Sequence, residues 1–366
     1  MKYLKNSIRH FLHIIGLILM PLRYIVYRMR FPKQLDMTIE EAEDLLSAIH
    51  PDNGQTCLCN NSIETVYDLH IIVPVYNTAP YLRQCLDSIF QQKTEFSFFV
   101  SIVDDGSTDS SPALLDNYYA SLQGTSHYST TEIIHQANQG PSAARNTALS
   151  NIHGKYIMFV DSDDMLLPGA IQTLMRGATL SGADISEGNF DGGPAHGFAW
   201  GKVYRSELFR HVHFPAGYWF EDTLNAFYIY PLCHRIVQVP GIHYYYRPNP
   251  CSIMNSFQGS ARTVDSLWVS RRVLSDYFSQ GHKATDRLLR HFLQDVHSTA
   301  SHFRTLKNEQ AMQALFAIQC DMFLKYFVGA TNDTNRDIHL PFLLKYTAHC
   351  LSTANYRLFR AITDSI

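Results

Sequence analysis

The stretch between residues 69 and 160 alternates between short apolar runs and segments with helical periodicity. The apolar runs are rich in β-branched and aromatic residues, which is typical of buried strands. After the first run, the apolar residues recur at the spacing of one helix face: Leu82, Cys85, Leu86, Ile89 and Phe90. Strands that alternate with helices predict an α/β fold with a mostly parallel, doubly wound sheet. The four predicted strands are Leu69–Val73, Phe98–Val103, Glu132–His135 and Tyr156–Val160.

Helical periodicity alone dominates the last part of the chain. It begins near Gly259 and is carried by Leu267, Val269, Val273, Leu274 and Tyr277. We therefore expect a sheet domain over residues 69–258 and a C-terminal helical region over residues 259–366.

The composition excludes several classes of protein. A hydrophobic fraction of 46% and a charged fraction of 17% describe a globular chain. The net charge of −3 argues against a nucleic-acid-binding protein, which usually carries a basic excess. Cys57 and Cys59 form a Cys-x-Cys pair with no second pair, so the spacing does not favour a zinc ribbon.

Residues 1–36 combine basic side chains with the apolar run Ile14–Leu22. As a helix this run would span only ~14 Å, about half of a bilayer core. Such a helix suits the interface of an anionic membrane, or it could dock on the body of the protein. Both interpretations stay open, with an uncleaved spanning anchor as a weaker third, and residues 37–68 are expected to form a short linker region.

The fourth predicted strand ends in a cluster of acidic residues, Asp161-Ser162-Asp163-Asp164. At ~4 Å and an effective dielectric constant of ~20, each close pair of carboxylates costs roughly 4 kcal/mol. A divalent cation would relieve this repulsion, and oxygen ligands favour Mg²⁺ or Mn²⁺. The alternative is a solvated turn that caps the helix beginning near Pro168.

The other predicted strands also end in residues suited to a ligand. In open α/β sheets, ligands bind in the crevice at the carboxyl ends of the strands. The motifs in question are Val73–Asn77, Val103–Asp109, Gly140–Asn146, the acidic cluster and, later in the chain, Tyr218–Thr223.

These motifs, in this order, resemble those of the inverting glycosyltransferases of family 2, which have the GT-A fold. The resemblance runs from about His70 to Ser256 and includes Gly201–Arg205 and Tyr244–Arg247. It implies a sheet of the Rossmann-like GT-A type, followed here by the C-terminal helical region and preceded by the basic, apolar N-terminal helix.

The resemblance also implies roles for individual residues. Pro74 and Tyr76 would line the nucleotide-base pocket, and Asp105 would accept a hydrogen bond from the base imide. Arg145 would approach the diphosphate or brace the acidic motif. Asp161, Ser162 and Asp163 would form the Asp-x-Asp motif that binds the donor ribose and the metal. Asp164 joins the metal candidates because some members align their paired acids with Asp163 and Asp164.

Asp222 would be the general base that activates the acceptor hydroxyl, with Glu221 beside it to orient it. The alternative for both is favourable charge in the first turn of a helix. Trp200 and Trp219 could stack on a sugar, although buried aromatic residues more often belong to a core.

The implied activity is sugar transfer from a nucleotide donor, with UDP expected, to a hydroxyl acceptor. The enzyme would be a hexosyl- or N-acetylhexosaminyltransferase that uses Mn²⁺ or Mg²⁺. Its acceptor would be a saccharide or lipid-linked saccharide of surface polysaccharide or glycolipid synthesis. The N-terminus suggests a cytoplasmic protein, peripheral at the inner face of the cell membrane.

Two other functions use similar folds. A nucleotidyltransferase would normally show a Gly-rich basic phosphate loop after the first strand, where this chain has Pro74–Asn77. A catalytically silent nucleotide-sugar-binding subunit would be expected to lack the acidic residues that are present here. A dinucleotide-dependent oxidoreductase is disfavoured, because no Gly-x-Gly-x-x-Gly follows the first strand.

Overall fold

The computed structural model describes residues 20–249, 259–328 and 340–364. The chain divides into two compact units, one formed by Gly54–Ser252 and the other by Met1–Asn53 with Ile253–Ile366. The four-part division expected from the sequence, with boundaries at residues 36, 68 and 258, stays a prediction. The last of these boundaries lies outside the described residues.

Nine strands form one mixed sheet within the described part of the chain. The strands are β1 (Ser62–Val75), β2 (Phe98–Asp104), β3 (Thr131–His135), β4 (Asn151–Phe159), β5 (Met165–Leu166), β6 (Ile185–Phe190), β7 (Gly193–Pro194), β8 (Lys202–Arg205) and β9 (Ile236–Tyr245). Their order across the sheet is β3-β2-β1-β4-β8-β6-β9-β5, and β7 pairs with β6.

The α-helices with defined bounds come from both units. They are α1 (Ile39–Ile49), α2 (Ala79–Phe90), α3 (Ser111–Ser121), α4 (Pro141–Leu149), α5 (Ala170–Ser181), α6 (Tyr230–Leu232), α7 (Asp265–Ser279), α8 (Asp286–Arg304), α9 (Glu309–Phe323), α10 (Phe342–Ser352) and α11 (Tyr356–Thr363). Residues 20–30 are also helical. Short 3₁₀ turns lie at Tyr128–Thr130, Ser206–Phe209 and Ala261–Val264, and π-helical turns lie at Asn225–Ile229 and Leu324–Val328.

The four strands predicted from apolar runs are confirmed, and they form the parallel half of the sheet. β1 lies between β2 and β4 and is parallel to both, while β3 is parallel to β2. β1 begins at Ser62, earlier than the predicted start at Leu69. Its first seven residues, Ser-Ile-Glu-Thr-Val-Tyr-Asp, mix polar and apolar side chains and are mostly exposed, so no apolar run marks them. Residues 62, 63 and 67 among them pair with β4.

Helices cover both faces of this parallel half, as the doubly wound prediction requires. Alternate residues of β1 pack with α2 and α5 in one buried cluster, to which Leu82, Cys85, Leu86 and Ile89 contribute the predicted helix face. The α4 helix contacts β1 and β2 but adds no side chain to this cluster. It therefore lies on the opposite face.

The second half of the sheet has no counterpart in the predicted strands. β8 is antiparallel to β4 and β6, and β9 is parallel to β6. These strands are short or interrupted by polar residues and glycine, as in β6, whose sequence is Ile-Ser-Glu-Gly-Asn-Phe. Their register is set by neighbouring strands rather than by an apolar run of their own.

The other compact unit is helical, and the predicted helical character after Gly259 is confirmed. A capping box at Thr38 begins α1: the Glu41 amide donates to Thr38 Oγ1 over 3.2 Å, and the Thr38 amide donates to Glu41 Oε2 over 2.7 Å. The α1 helix packs on α9. Trp268 in α7 donates its indole N–H to the His50 carbonyl over 2.9 Å, which joins α7 to the end of α1.

The described part of the N-terminal segment packs against α11. Tyr27 donates its hydroxyl to Asp364 Oδ2 over 2.9 Å, and Arg357 donates to the Phe31 carbonyl over 2.8 Å. Residues 14–19 of the apolar run Ile14–Leu22 lie outside the described residues. No helix within the described ranges has the length and apolar character needed to cross a bilayer.

Candidate active site

The predicted site motifs follow the carboxyl ends of β1, β2 and β4, which meet at one edge of the sheet. Val75 is paired with Asp104 in register, and Asp104 with His135. The Asp105 amide donates to the Val75 carbonyl over 2.8 Å, and Thr78 Oγ1 donates to Ser162 Oγ over 3.0 Å. The sheet therefore brings residues 74–78, 104–109 and 161–164 together, although they are distant in sequence.

The loops after β1 and β2 are fastened to each other by Asn77. Its Oδ1 atom accepts hydrogen bonds from the Thr108 amide over 2.8 Å and the Asp109 amide over 3.2 Å. Asn77 has a φ of 52°, a left-handed conformation that asparagine tolerates better than most residues. Gly106 has a φ of 71°, and a Cβ there would lie 2.7 Å from the Asn138 amide nitrogen, so this loop requires glycine.

Asp105 is held by the loop that follows β3. Its Oδ1 atom accepts from Gln136 Nε2 over 2.7 Å and from the Gln139 amide over 3.0 Å, and Oδ2 accepts from the Gly140 amide over 2.7 Å. Tyr76 is 48% exposed beside this region. The structure thus places the predicted base-recognition residues at one edge, and their individual roles stay predictions.

The neighbouring Asp104 is buried and contacts His135, a residue that the sequence did not single out. Asp104 Oδ2 lies 2.8 Å from His135 Nδ1, and this hydrogen bond raises the pKa of His135. A buried carboxylate needs such partners, since its charge is otherwise costly to desolvate.

Arg145 connects the acidic cluster to the later Glu-Asp motif. Its Nη2 atom donates to Asp161 Oδ1 over 2.9 Å, and its Nη1 atom donates to Glu221 Oε1 over 2.6 Å. Only 5% of the Arg145 side chain is exposed, and its guanidinium lies 5.2 Å from the centre of the Phe214 ring. Burial by itself would lower the pKa of Arg145, but the charges of Asp161 and Glu221 outweigh it and raise that pKa.

The three carboxylates of the acidic cluster have different partners. Asp161 pairs with Arg145, and Asp163 Oδ2 accepts from Asn249 Nδ2 over 2.8 Å. Asp164 is buried, its Oδ1 atom accepts from the Arg247 amide over 2.8 Å, and its Oδ2 atom has no hydrogen-bond partner. Burial, and next the charge of Asp161, raise the pKa of both Asp163 and Asp164.

No group of three or more His, Cys, Asp or Glu residues converges as a ready metal cage in the described ranges. The oxygen donors nevertheless fit a hard cation of the Mg²⁺ or Mn²⁺ class. Such ions are usually held by one or two carboxylates, and substrate phosphates and water complete the coordination. Mutual repulsion within the cluster, together with the unpartnered Asp164 Oδ2 atom, is consistent with a site completed by an incoming cation and ligand.

Asp222 follows Glu221, which forms one of the two Arg145 ion pairs. Its Oδ1 atom accepts from the Ala199 amide over 3.1 Å. Asp222 keeps part of its surface exposed, yet protein surrounds its carboxyl group. This burial, with repulsion from Glu221 and Asp161, raises the pKa of Asp222 to about 7, although Arg145 and Lys202 oppose the shift. Phe220 has a φ of 65°, an uncommon conformation for a bulky residue, directly before the Glu-Asp motif.

Lys202 is a buried charge near this motif that the sequence analysis did not identify as a site residue. It is 0% exposed, and its Nζ atom donates to Glu187 Oε1 over 3.1 Å, to the Ala195 carbonyl over 2.7 Å and to Tyr230 Oη over 2.7 Å. Burial favours neutral Glu187, but its hydrogen bond with His196 and the charge of Lys202 outweigh this and lower its pKa to about 2. Lys202 belongs to the motif Gly201–Arg205, which is part of the family resemblance, but the sequence of this motif does not indicate that the lysine is buried.

The two tryptophans considered for sugar stacking lie in different environments. Trp200 is 3% exposed and stacks between Phe198 and Tyr244, with ring centroids 4.5 and 4.4 Å away. It therefore belongs to the core. The Asp161 amide donates to Tyr244 Oη over 3.1 Å, so this aromatic stack is hydrogen-bonded to the backbone of the acidic cluster. Trp219 is partly exposed.

The sequence of the sheet domain matches a known family. Residues 70–236 fit the model of Glycosyl transferase family 2. This domain belongs to glycosyltransferase family 2. Glycosyltransferase GlyA of Streptococcus pneumoniae serotype 4 is 32% identical over 215 residues, which make up 48% of this chain and 30% of GlyA. Glycosyltransferase GlyG of the same organism is 26% identical over 292 residues, or 69% of this chain and 95% of GlyG.

A solved structure has a similar fold. The mannosyltransferase PcManGT from Pyrobaculum calidifontis, solved with GDP-Man and Mn²⁺, superimposes with a TM-score of 0.51 at 15% identity. The match covers 94% of this chain and 97% of PcManGT. The GT-A fold expected from the sequence is thus confirmed for the family 2 glycosyltransferase domain.

The Arg145 ion pairs make a testable contribution to stability. We expect Arg145→Gln to lower the free energy of unfolding at pH 8 by about 3–5 kcal/mol, because it leaves buried carboxylates without a cation. The pKa of Asp222 should rise further without Arg145, so protonation at lower pH removes part of the stranded charge. The destabilisation should therefore be smaller at pH 5 than at pH 8 in urea unfolding experiments.

Arg176→Gln is a matched control. Arg176 is 57% exposed and pairs with Glu95 at the surface, so its loss should cost less than about 1 kcal/mol. If Arg145→Gln destabilised the protein equally at both pH values, packing on Phe214 rather than charge would explain the effect of Arg145.

Proposed function

We propose that this chain transfers a hexosyl or N-acetylhexosaminyl group from a nucleotide donor to an acceptor hydroxyl, with inversion at the anomeric carbon. The observation that carries the proposal is the Arg145 bridge, which contacts both Asp161 and Glu221. It holds the predicted donor motif and the predicted base motif at the same sheet edge. The family 2 match over residues 70–236 supports this class of reaction.

The donor would lie along the edge formed by the ends of β1, β2 and β4. In this proposal Pro74 and Tyr76 contact the base, Asp105 accepts a hydrogen bond from it, and Ser162 lies beside the ribose. The hydrogen bonds from Gln136, Gln139 and Gly140 keep the Asp105 carboxylate in one position before the donor arrives. The uridine preference rests on the resemblance of these motifs to the family's pattern.

Asp161, Asp163 and Asp164 would hold a divalent cation together with the donor diphosphate. When bound, Mn²⁺ or Mg²⁺ stabilises the negative charge that develops on the leaving diphosphate. The Arg145 ion pair and the Asn249 hydrogen bond orient Asp161 and Asp163, while the backbone amide of Arg247 orients Asp164.

Asp222 would remove the proton from the acceptor hydroxyl as its oxygen attacks the anomeric carbon. A general base works best when its pKa is close to the working pH, and burial raises the pKa of Asp222 to about 7. The Ala199 amide fixes one carboxylate oxygen, which leaves the other available to the acceptor. Glu221 is occupied by Arg145, so its proposed role is to position its neighbour.

The acceptor is proposed to be a saccharide or lipid-linked saccharide, reached at the inner face of the cell membrane. Support comes from the helix at residues 20–30, whose exposed apolar residues share one face: Leu22, Ile25, Val26 and Met29 are 58, 60, 55 and 94% exposed. We call these four residues the exposed stripe. Arg28, Arg30 and Lys33 lie beside it and are exposed. An apolar face with neighbouring cations suits an anionic lipid surface.

The metal assignment predicts that Asp163→Ala abolishes Mn²⁺-stimulated hydrolysis of the nucleotide sugar, because one oxygen ligand and its charge are lost. A panel of nucleotide sugars, assayed with and without Mn²⁺, would identify the donor first. Asp116→Asn is the control, since Asp116 has a 71% exposed side chain away from the cluster. Unchanged turnover of Asp163→Ala would contradict its role at the metal.

The base assignment predicts that Asp222→Asn keeps donor affinity but lowers transfer by about 100- to 10,000-fold. In the unchanged protein, kcat/KM should fall as the pH drops below about 7, since Asp222 must be ionised to accept a proton. Donor binding by calorimetry and transfer rates between pH 5 and 9 check both points. Equal loss of binding and transfer in Asp222→Asn would argue against a base.

The membrane assignment predicts that changing all four residues of the exposed stripe to Ser weakens binding to phosphatidylglycerol vesicles by at least about tenfold, since apolar area is lost. Donor hydrolysis should persist. A matched control replaces Val66 and Leu180, which are 68 and 85% exposed in the other unit, by Ser. Vesicle sedimentation at low and high salt measures the effect. If the four-residue variant still sedimented with vesicles, the stripe would not be the lipid-binding face.

A further inference from the structure

Arg247 follows β9, and its backbone contacts the acidic cluster. In the function proposed above only this backbone contact has a role, and the side chain has none. Its amide donates to Asp164 Oδ1 over 2.8 Å. This hydrogen bond fixes the position of the Arg247 backbone relative to residues 161–164. The side chain therefore starts from a defined point at the proposed donor site.

The guanidinium of Arg247 is only partly paired. Its Nη1 atom donates to Gln84 Oε1 over 2.8 Å, and the group lies over the Tyr81 ring, 5.0 Å from the centroid. Its Nε and Nη2 atoms are buried and have no hydrogen-bond partner. Buried donors of a charged group are rarely left unpaired, because the lost hydration is not replaced. These two N–H donors form one edge of the guanidinium, and their lack of partners indicates that a bound ligand supplies the acceptor.

The other buried cations described at this site already form ion pairs within the protein, although the Nε atom of Arg145 has no hydrogen-bond partner. Arg145 donates to Asp161 and Glu221, and Lys202 donates to Glu187. In Arg247, by contrast, two adjacent donors of the guanidinium, Nε and Nη2, have no hydrogen-bond partner. Two parallel N–H groups on one edge match two oxygens of a phosphate, which is the bidentate geometry arginine favours.

We propose that the Nε–Nη2 edge of Arg247 binds phosphate oxygens of the donor's diphosphate. This inference rests on the proposed function and adds a phosphate-binding residue to its site. The contact neutralises charge on the diphosphate, a role for which Arg145 is less suited because it already pairs with Asp161 and Glu221. Gln84, which accepts from the Nη1 atom, is exposed at the surface.

The experiment compares nucleotides that differ only in the number of phosphates. Calorimetry with Mn²⁺ gives the Kd of the nucleoside monophosphate and of the nucleoside diphosphate for the unchanged protein and three variants. Arg247→Gln should weaken diphosphate binding by about 10- to 100-fold, as expected for lost charge-assisted hydrogen bonds, and monophosphate binding by less. Arg247→Lys should recover part of the loss. Arg176→Gln, a surface arginine, should change neither Kd.

Gln84→Ala separates phosphate binding from a structural role. If Arg247 only braced α2 through Gln84, then Gln84→Ala would reproduce the effect of Arg247→Gln, and the proposal would be wrong. Equal weakening of both nucleotides in Arg247→Gln, or no weakening, would also overturn it while leaving the proposed function intact. If the unchanged protein bound neither nucleotide, the proposed function itself would fail, and this inference with it.

Discussion

The buried ion pairs of Arg145 are the interaction on which the site depends. Five carboxylates, from Asp161, Asp163, Asp164, Glu221 and Asp222, come close together at the edge of the sheet, and such a cluster is unstable without compensation. Arg145 supplies a permanent positive charge between two of them and is held there by α4 and the Phe214 ring. Because an arginine cannot release its proton in a protein, this compensation persists at every pH at which the fold is stable.

The same interaction explains how distant segments form one site. Asp161 follows β4, whereas Glu221 lies beyond four further strands and is not part of the sheet. Contacts between side chains, rather than strand pairing, must position such a segment. The Arg145–Glu221 pair and the hydrogen bond between Asp222 and the Ala199 amide provide this. The raised pKa of Asp222 is a further consequence, since the one cation does not fully offset burial and repulsion.

A second layer of polar contacts keeps the loops at the sheet edge rigid. Asn77 joins the loops after β1 and β2, and Asp105 joins the loop after β2 to the start of α4. Asp105 is also one of the residues that the resemblance assigns to donor binding. A site whose groups are held by several hydrogen bonds needs little rearrangement when its ligand binds, which favours both affinity and specificity.

The sequence by itself determined the parallel half of the sheet, the helix face of α2, the helical C-terminal region and the motifs at the strand ends. These follow from local apolar periodicity and from turn residues, which act over a few positions. The tertiary structure alone decided the antiparallel half, the burial of Lys202 and the partners of each carboxylate. β6 and β8 carry polar residues whose burial depends on neighbours far along the chain, as with Lys202 and Glu187. The unpaired Nε and Nη2 atoms of Arg247 could not be predicted from the sequence either. A missing hydrogen bond is a property of three-dimensional packing and leaves no local pattern in the sequence.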